Sequence, residues 1–354
     1  MTSPYVPLLE TTRGDTVESV QYGALAAVDP QGRLYASVGD PETVTFLRSS
    51  AKPFQALPFI EAGGHTHYHF SQKEIALICA SHSGTDEHAQ TAAGIQARIG
   101  ITEADLHCGV HPPMHQPTAE RMLYGGEPLT SNRHNCSGKH TGMLAFARMN
   151  GEPLETYLEP DHPVQLRILA AMSEMCGLPP EDIHLGTDGC SAPNFAVPLV
   201  NSALGWARLA DPTGLPEPRA AACRTLIDAM IAHPEMVAGP NRLDTDLMRV
   251  AGGKLAAKAG AEGYQGIALR PGALGEGSPA LGIAIKIADG DGYKRASAAV
   301  TLEVLRQLGA LTDEELDSLK AYGPLRPIYN WRKLEVGEMR PVFRLQIAET
   351  AHPA

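Results

Sequence analysis

A serine and a lysine stand three residues apart in the segment RSSAKP, where Ser49 and Lys52 precede an apolar run. In a helix that begins here, positions i and i+3 share one face, so the hydroxyl and the amine would be neighbours. A neutral lysine amine can remove the serine proton and turn the hydroxyl into a nucleophile. Burial and a nearby positive charge, which Arg48 could supply, favour the neutral form of such an amine. The structural alternative is a helix-capping serine beside a solvent-exposed lysine.

Two further short motifs follow in the order that is typical of serine acyl-enzymes, which carry S-x-x-K, S-x-N and K-T-G. Here S-H-S begins at Ser81 and K-A-G begins at Lys258, the latter in a strand-like segment. Both matches are imperfect, because Ser83 replaces the asparagine and Ala259 replaces the threonine. The order of the three motifs nevertheless raises the weight of the catalytic interpretation.

Two cysteines lie in loops of small residues that precede apolar segments, Cys136 in NCSGKH and Cys190 in DGCSAP. Such loops leave backbone N–H groups unpaired and thiolates accessible, which suits metal or anion binding. From residue types and spacing alone, Cys136, His140 and Cys190 could hold zinc. The histidine-rich stretch 107–115 also suggests a metal, but Pro112 and its neighbour break any helix that would align the ligands.

The composition predicts a cytoplasmic enzyme. The chain has 354 residues, 43% of them hydrophobic, so it can bury a large core. A formal net charge of −11 without basic clusters argues against nucleic acid and anionic membranes as partners. The N-terminal segment has no signal-peptide pattern, and no apolar run reaches the roughly 18 residues of a membrane span. Six scattered cysteines are too few for a disulfide framework.

The element pattern predicts strands at both ends of the chain and helices in the middle. The opening favours a hairpin with its turn at 30–32, followed by a short strand and a helix over about 51–61, which Pro58 should disturb. The segments KLAAKAG, YQGIALRPG and PALGIAIKIADG are predicted strands. The loop around Cys190 should lead into a helix. We expect one sheet assembled from distant segments, in a single domain spanning residues 1–354.

Five segments together resemble one known family. RSSAKPFQALP, CASHSG, HCGVHPP, NCSGKHTGML and DGCSAPNFAVPL, in this order, are similar to the L-asparaginase II family of serine–lysine, zinc-binding asparaginases. The resemblance extends from GALAAVD to AIKIADGDGYKRA. It implies a fold like that of serine β-lactamases and penicillin-binding proteins, an α/β (α+β) class with a largely antiparallel sheet flanked by helices. It also implies a homodimer that hydrolyses L-asparagine to L-aspartate and ammonia without an organic cofactor.

The resemblance also implies two serine–lysine tandems. These are Ser49 with Lys52, and Ser81 with Lys258, although Lys254 lies close enough in sequence to be an alternative to Lys258. Either serine could be the one that is acylated.

The metal ligands implied by the resemblance differ from those proposed from spacing. Zinc would be held by Cys136, Lys139 and Cys190, with His140 nearby in a supporting role and Asp188 close to the metal. The predicted substrate-binding residues are Arg48, Asp188 and His140.

The expected mechanism follows from these assignments. Lys52 would take the proton of Ser49, which attacks the side-chain carboxamide, while Ser81 and Lys258 relay protons and zinc orients the substrate. The alternatives are another serine acyl hydrolase, such as a β-lactamase or esterase, and a non-catalytic zinc-binding or redox-sensing protein that uses Cys136 and Cys190. The choice between asparagine and glutamine stays open at this point.

Overall fold

The computed structural model describes residues 3–292 and 294–348. The strands are β1 (Val6–Arg13), β2 (Thr16–Val28), β3 (Leu34–Val38), β4 (Val44–Phe46), β5 (His184–Thr187), β6 (Pro193–Pro198), β7 (Leu255–Gly260), β8 (Tyr264–Leu269), β9 (Leu281–Ile287), β10 (Arg326–Tyr329), β11 (Glu335–Pro341) and β12 (Gln346–Ile347). The helices are α1 (Lys52–Glu61), α2 (Gly64–His67), α3 (Gln72–Ile78), α4 (Asp86–Ile99), α5 (Gln116–Gly125), α6 (Ser137–Met149), α7 (Pro163–Cys176), α8 (Leu199–Ala210), α9 (Glu217–Ala232), α10 (Pro234–Val237), α11 (Leu243–Val250), α12 (Ala296–Gln307) and α13 (Asp313–Ser318). Short 3-10 helices cover Arg48–Ala51, Glu103–Asp105, Ser131–Arg133 and Pro180–Asp182.

The chain divides into two compact units. The first contains the chain up to Ser50, Val197–Asp211 and the chain from Asp246 onward, and the second contains Ala51–Ala196 and Pro212–Thr245. The prediction of one domain over 1–354 stays a prediction. Throughout 3–292 and 294–348, no helix has the length and apolar character that crossing a membrane requires.

The first unit is built on an antiparallel sheet. Its strand order is β10-β11-β1-β2-β9-β8-β7, with β3 also paired to β2 and β12 to β3. Strand β2 changes character along its length: the stretch 16–22 is exposed or half-buried throughout, and the stretch 23–28 is buried throughout. Because a strand buried on both faces reads as a continuous apolar run, GALAAV belongs at the centre of the sheet.

Helix α8 lies directly on this sheet. A Cβ at Gly282 in β9 would come within 1.8 Å of the carbonyl oxygen of Ala203 and 2.2 Å of the amide nitrogen of Ala207, both in α8. The absence of a side chain at Gly282 therefore lets the helix backbone approach the strand. Helix α12 contacts β1, β9 and β11.

The second unit is mainly helical. Helix α1 packs against α6, α7 and α9, and α3 packs against α6 and α9. Helix α1 is buried from Lys52 to Ile60 and continues through Pro58 to Glu61, so the proline disturbs it less than expected. Packing on all sides compensates for the one hydrogen bond that the proline cannot donate, and Pro58 lies only one turn from the helix end.

The predicted class, a mixed α/β fold with a largely antiparallel sheet and helices, is confirmed. The hairpin β2–β3 and the strands β7, β8 and β9 lie where the sequence placed them. One expectation is wrong: the loop at Cys190 does not run directly into a helix, because strand β6 comes first. The segment PNFAVP is short, apolar and flanked by prolines, so periodicity did not distinguish it from a helix start.

Candidate active site

Lys52 is the first residue of α1 and points into the second unit. The 3-10 helix Arg48–Ala51 precedes it, and Pro53 suits the first turn of the helix. Its side chain is 1% exposed. Nζ donates to the carbonyl oxygens of Ala80 at 2.6 Å and Asn135 at 3.4 Å. The amine is therefore held between the residue before Ser81 and the residue before Cys136.

Ser81 follows the C-terminal end of α3. Its amide donates to the carbonyl oxygen of Val237 at 2.9 Å, which fixes the backbone. Its buried hydroxyl oxygen accepts from Nδ2 of Asn135 at 3.2 Å. Lys52, Ser81 and Asn135 thus converge within one unit, and the last of them was not singled out from the sequence.

His82 fixes the turn that carries Ser81. Its Nδ1 accepts from the amide of Gly84 at 3.1 Å, so Nε2 carries the proton and donates to Ser137 Oγ at 2.9 Å. Burial, followed by the positive charges of His88 and Lys52, holds the pKa of His82 well below its ordinary value. The neutral imidazole therefore connects the 81–84 turn to the start of α6.

Helix α6 begins after Cys136 and approaches α3 very closely. A Cβ at Gly138 would lie 2.2 Å from the carbonyl oxygen of Leu77, so only glycine fits at this contact. The close approach brings Cys136 and Lys139, at the start of α6, up to the end of α3 and the segment that carries Ser81.

Cys190 reaches the same region from the hairpin formed by β5 and β6. In the connecting loop, Asp188 N donates to Ala192 O at 2.9 Å and Ser191 N donates to Asp188 O at 2.9 Å. Ser191 has a φ of 68°, a left-handed conformation that this tight turn requires. The sulfur of Cys190 lies 3.6 Å from Oδ2 of Asp188.

The two thiols and the amine of Lys139 form a buried, coupled group. A hydrogen bond from Cys190, followed by the charges of Lys52 and Lys139, outweighs burial and holds the pKa of Cys136 well below its ordinary value. The same hydrogen bond and burial raise the pKa of Cys190. The amine of Lys139 donates to the Cys190 sulfur at 2.9 Å. Burial alone would lower the pKa of Lys139, but the charges of the two sulfurs raise it.

His140 is held in one tautomer by Tyr157. The amide of His107 donates to the Tyr157 hydroxyl at 2.9 Å, so that hydroxyl donates in turn to Nδ1 of His140 at 2.5 Å. Nε2 of His140 therefore carries the proton and lies beside Cys190, and among the described residues it has no acceptor with hydrogen-bond geometry. Burial, and then the charge of Lys139, lowers the pKa of His140 to about 4. The His140 ring therefore lies beside the candidate metal ligands with its Nδ1 bonded to Tyr157.

The donor set fits zinc in its chemistry. Two cysteine sulfurs and an amine are ligands of the kind that Zn²⁺ accepts, once the amine has lost its proton. Within residues 3–292 and 294–348, no three histidine, cysteine, aspartate or glutamate side chains are grouped so as to hold a metal ion. The two thiols would therefore need Lys139 as their third donor.

The histidine-rich stretch does not assemble a metal site in the part of the chain that the structure describes. Nε2 of His111 accepts from the amide of Asn135 at 3.1 Å, and Nδ1 of His115 lies 2.8 Å from Thr118 Oγ1. Burial raises the pKa of the Cys108 thiol to about 12. Of these side chains, His111 is the one that supports the backbone of Asn135.

Four of the candidate residues belong to the first unit, and one of them, Ser49, is half-buried in the 3-10 helix Arg48–Ala51. Arg48 has a φ of 52°, an unusual backbone conformation just before Ser49, and its guanidinium lies 3.7 Å from Glu262. Lys258 lies in β7 with a side chain that is 1% exposed. Lys254 forms an ion pair with Glu315 at 2.7 Å, a structural use that favours Lys258 as the tandem lysine.

The buried amine of Lys52, bonded to the carbonyl oxygen of the residue before Ser81, is the kind of group that a serine acyl hydrolase uses as a base. The family model for L-asparaginase II matches residues 9–341, and the chain belongs to this family. Its members are amidohydrolases, so the chain is an enzyme that acts on a small amide.

Solved structures of glutaminases are similar at low identity. The Bacillus subtilis glutaminase YbgJ, in covalent complex with 5-oxo-L-norleucine, is 13% identical with a TM-score of 0.40, covering 82% of this chain and 89% of that chain. A Bacillus glutaminase in 4.3 M NaCl is 12% identical with a TM-score of 0.38, covering 80% and 90%. No significant match was found among curated proteins.

Proposed function

We propose that the chain hydrolyses the side-chain amide of L-asparagine to L-aspartate and ammonia. One observation carries the proposal: the buried amine of Lys52 donates to the carbonyl oxygens of Ala80, the residue before Ser81, and of Asn135, whose side chain donates to the Ser81 hydroxyl. An amine in such surroundings can exchange a proton with a serine hydroxyl, which amide hydrolysis through an acyl-enzyme needs. Membership in the L-asparaginase II family supports the amide and the preference for asparagine.

The proposed reaction has two steps. In the first, a serine oxygen attacks the carboxamide carbon, a lysine amine takes the serine proton, and that proton leaves with ammonia. In the second, water attacks the serine ester, gives one proton to the relay and releases aspartate. The family resemblance assigns the first tandem to Ser49 and Lys52 and the second to Ser81 and Lys258, and these roles are part of the proposal. Arg48, Asp188 and His140 are proposed to bind the substrate.

We further propose that Cys136, Lys139 and Cys190 hold zinc. When bound there, zinc supplies an electrophilic contact for the amino-acid end of the substrate, and two thiolates weaken it as a generator of hydroxide. Asp188, 3.6 Å from the Cys190 sulfur, would accept from the substrate amino group. Chelation should then raise KM more than it lowers kcat, and a collapse of kcat at constant KM would contradict this role.

The decisive experiment is ammonia release from L-asparagine and L-glutamine by the full chain, with nitrocefin as a β-lactam substrate. We expect turnover of asparagine, slower turnover of glutamine and none of nitrocefin. Because a missing methylene is worth about 1–3 kcal/mol, the preference between the two amides should be roughly 10- to 200-fold. Turnover of nitrocefin alone would favour the β-lactamase alternative.

Serine variants separate an enzyme from a non-catalytic zinc or redox protein. Ser49→Ala and Ser81→Ala should each lose several orders of magnitude in kcat. Ser83→Ala is the matched control, because its buried hydroxyl donates to the carbonyl oxygen of Ala238 at 2.7 Å, away from Lys52. Near-normal turnover in both serine variants would overturn the mechanism. Intact mass after a slow substrate analogue identifies the acylated serine.

The resemblance also supports a homodimer in the cytoplasm as part of the proposal. Light scattering on the purified chain tests the oligomeric state, because a dimer has twice the mass of the 37.7 kDa chain. Fractionation of cells that express the chain tests the cytoplasmic location.

A further inference from the structure

Asn135 contacts three residues of the candidate site, namely Lys52, Ser81 and Cys136. It precedes Cys136 and stands between a 3-10 helix and α6. Its backbone is held on both sides: the amide donates to Nε2 of His111 at 3.1 Å, and the carbonyl oxygen accepts from Lys52 Nζ at 3.4 Å and from the amide of His82 at 3.2 Å. Because both the N–H and the C=O group of Asn135 are hydrogen-bonded, the position from which its side chain extends is fixed.

The histidine that supports this backbone is in a defined tautomer. Because Nε2 of His111 accepts from a backbone N–H, its other nitrogen carries the proton and donates to the carbonyl oxygen of Pro112 at 2.6 Å. The His111 ring packs against His134, with centroids 4.3 Å apart. Asn135 is thus positioned in part by His111, which has no role in the proposed reaction.

The carboxamide of Asn135 contacts two functional side chains at once. Nδ2 donates to the hydroxyl oxygen of Ser81 at 3.2 Å and lies 3.8 Å from the sulfur of Met114. Oδ1 lies 3.2 Å from the sulfur of Cys136. The hydroxyl oxygen of Ser81 therefore has one lone pair directed at an N–H donor, which orients the remaining lone pair and the proton.

The donor matters most when Ser81 gives up its proton. An N–H group that faces a developing oxyanion stabilises it more than the neutral hydroxyl. In the related serine acyl-enzyme motif S-x-N, an asparagine supplies a carboxamide two residues after the serine. Here that position is Ser83, whose hydroxyl donates to Ala238 and has no amide to offer.

We infer that Asn135 is a positioning residue that orients Ser81 and supports the transfer of its proton. The inference rests on the proposed amide hydrolysis. Because Asn135 acts through Ser81, replacing it should not lower kcat any further in a variant that already lacks the Ser81 hydroxyl. This property distinguishes it from a residue that only stabilises the fold.

A double-mutant cycle tests the inference in the full chain, with kcat and KM for L-asparagine as readouts. Asn135→Ala should lower kcat about 10- to 150-fold, the range of a hydrogen bond to a charged group, with little change in KM. Asn135→Asp keeps the shape and removes the donor, so it should be impaired as strongly. Ser81→Ala and the Ser81→Ala, Asn135→Ala double variant should have the same kcat.

Asn132→Ala is the matched control, because this buried asparagine lies three residues away and its Oδ1 accepts from Gln96 at 2.7 Å. It should lower the melting temperature and leave kcat within about threefold of the parent. Additive losses in the double variant, or near-normal kcat in Asn135→Asp, would overturn the role of Asn135 alone. If the parent chain hydrolyses neither asparagine nor glutamine, the proposed function and this inference fall together.

Discussion

Nζ of Lys52 donates a hydrogen bond of 2.6 Å to the carbonyl oxygen of Ala80, the residue immediately before Ser81. The side chain is 1% exposed, and its second acceptor, the carbonyl oxygen of Asn135, is also neutral. Burying an amine costs stability, and two neutral carbonyl acceptors together with the Cys136 thiol, whose pKa Lys52 helps to lower, offset part of that cost. Proteins keep such local conflicts mainly where a side chain serves a function.

Replacing this lysine should separate activity from stability. Lys52→Met has similar length and no charge to bury, so we expect kcat to fall at least about 10³-fold. The free energy of unfolding should change little, because the loss of the desolvated amine and the loss of its interaction with Cys136 act in opposite directions. Ammonia release and urea unfolding measure the two quantities.

Lys254→Met is the control for that change. It removes the ion pair with Glu315 in the first unit and should lower stability with kcat unchanged. A Lys52→Met variant with normal turnover would rule out this amine as the proton acceptor.

Zinc affinity should fall as the pH falls. Zinc must displace the proton of Lys139, whose pKa is raised by the charges of the two cysteine sulfurs that outweigh burial. Each displaced proton changes the apparent affinity by about tenfold per pH unit. Competition with a chromogenic chelator between pH 6 and 8 measures this slope. Lys139→Met should bind more weakly with a shallower slope, and a slope equal to that of the parent would exclude the lysine as a ligand.

The contact between α6 and α3 should be intolerant of any side chain at Gly138. Its Cβ would lie 2.2 Å from the carbonyl oxygen of Leu77, so Gly138→Ala must push the helices apart. We expect a loss of about 1–3 kcal/mol in the free energy of unfolding, measured by urea denaturation. Gly94→Ala in α4 is the control: a Cβ there meets nothing within 4 Å, so stability should rise by about 0.5–1 kcal/mol. Equal effects at the two glycines would contradict the close approach.

The second unit should lose stability in mild acid through His88. Burial lowers the pKa of His88 below its ordinary value of 6.5, and the neutral ring accepts from the amide of Thr85 and lies 2.9 Å from the carbonyl oxygen of Glu235. The unfolded chain therefore binds the proton more readily, so this contribution is present above pH 6.5 and is lost as the pH falls below it. Urea unfolding at pH 7.5 and 5.5 measures the change.

His88→Gln isolates this contribution. Glutamine at this position preserves the capping box with Thr85 and does not titrate. The difference in stability between the two pH values should shrink in the variant, and an undiminished difference would assign the acid sensitivity to other groups, His82 first among them.

Local patterns predicted the elements and part of the site. Serine, lysine and proline in RSSAKP place Lys52 at a helix start, and the structure begins α1 there. Apolar strand patterns located β7, β8 and β9. In contrast, β1 pairs with β11 from the other end of the chain, and no short-range signal marks such partners.

The site itself depends on contacts between distant segments. Asn135 contacts Ser81 across 54 positions, and no spacing rule connects them. Spacing favoured His140 as a ligand, because a histidine one turn after a cysteine is a familiar zinc pattern. The structure adds the contact of the Lys139 amine with the Cys190 sulfur at 2.9 Å, which no spacing rule predicts.

The pairing of β2 with β9 also governs how the polypeptide acquires its structure. Ala26 in β2 pairs with Ala284 in β9, so two central strands of the sheet come from distant parts of the polypeptide chain. During synthesis β2 leaves the ribosome long before β9 has been made. Until then the edge of the apolar GALAAV segment that pairs with β9 stays uncovered. Because non-local pairing slows folding, maturation of this protein should be slow and assisted by chaperones.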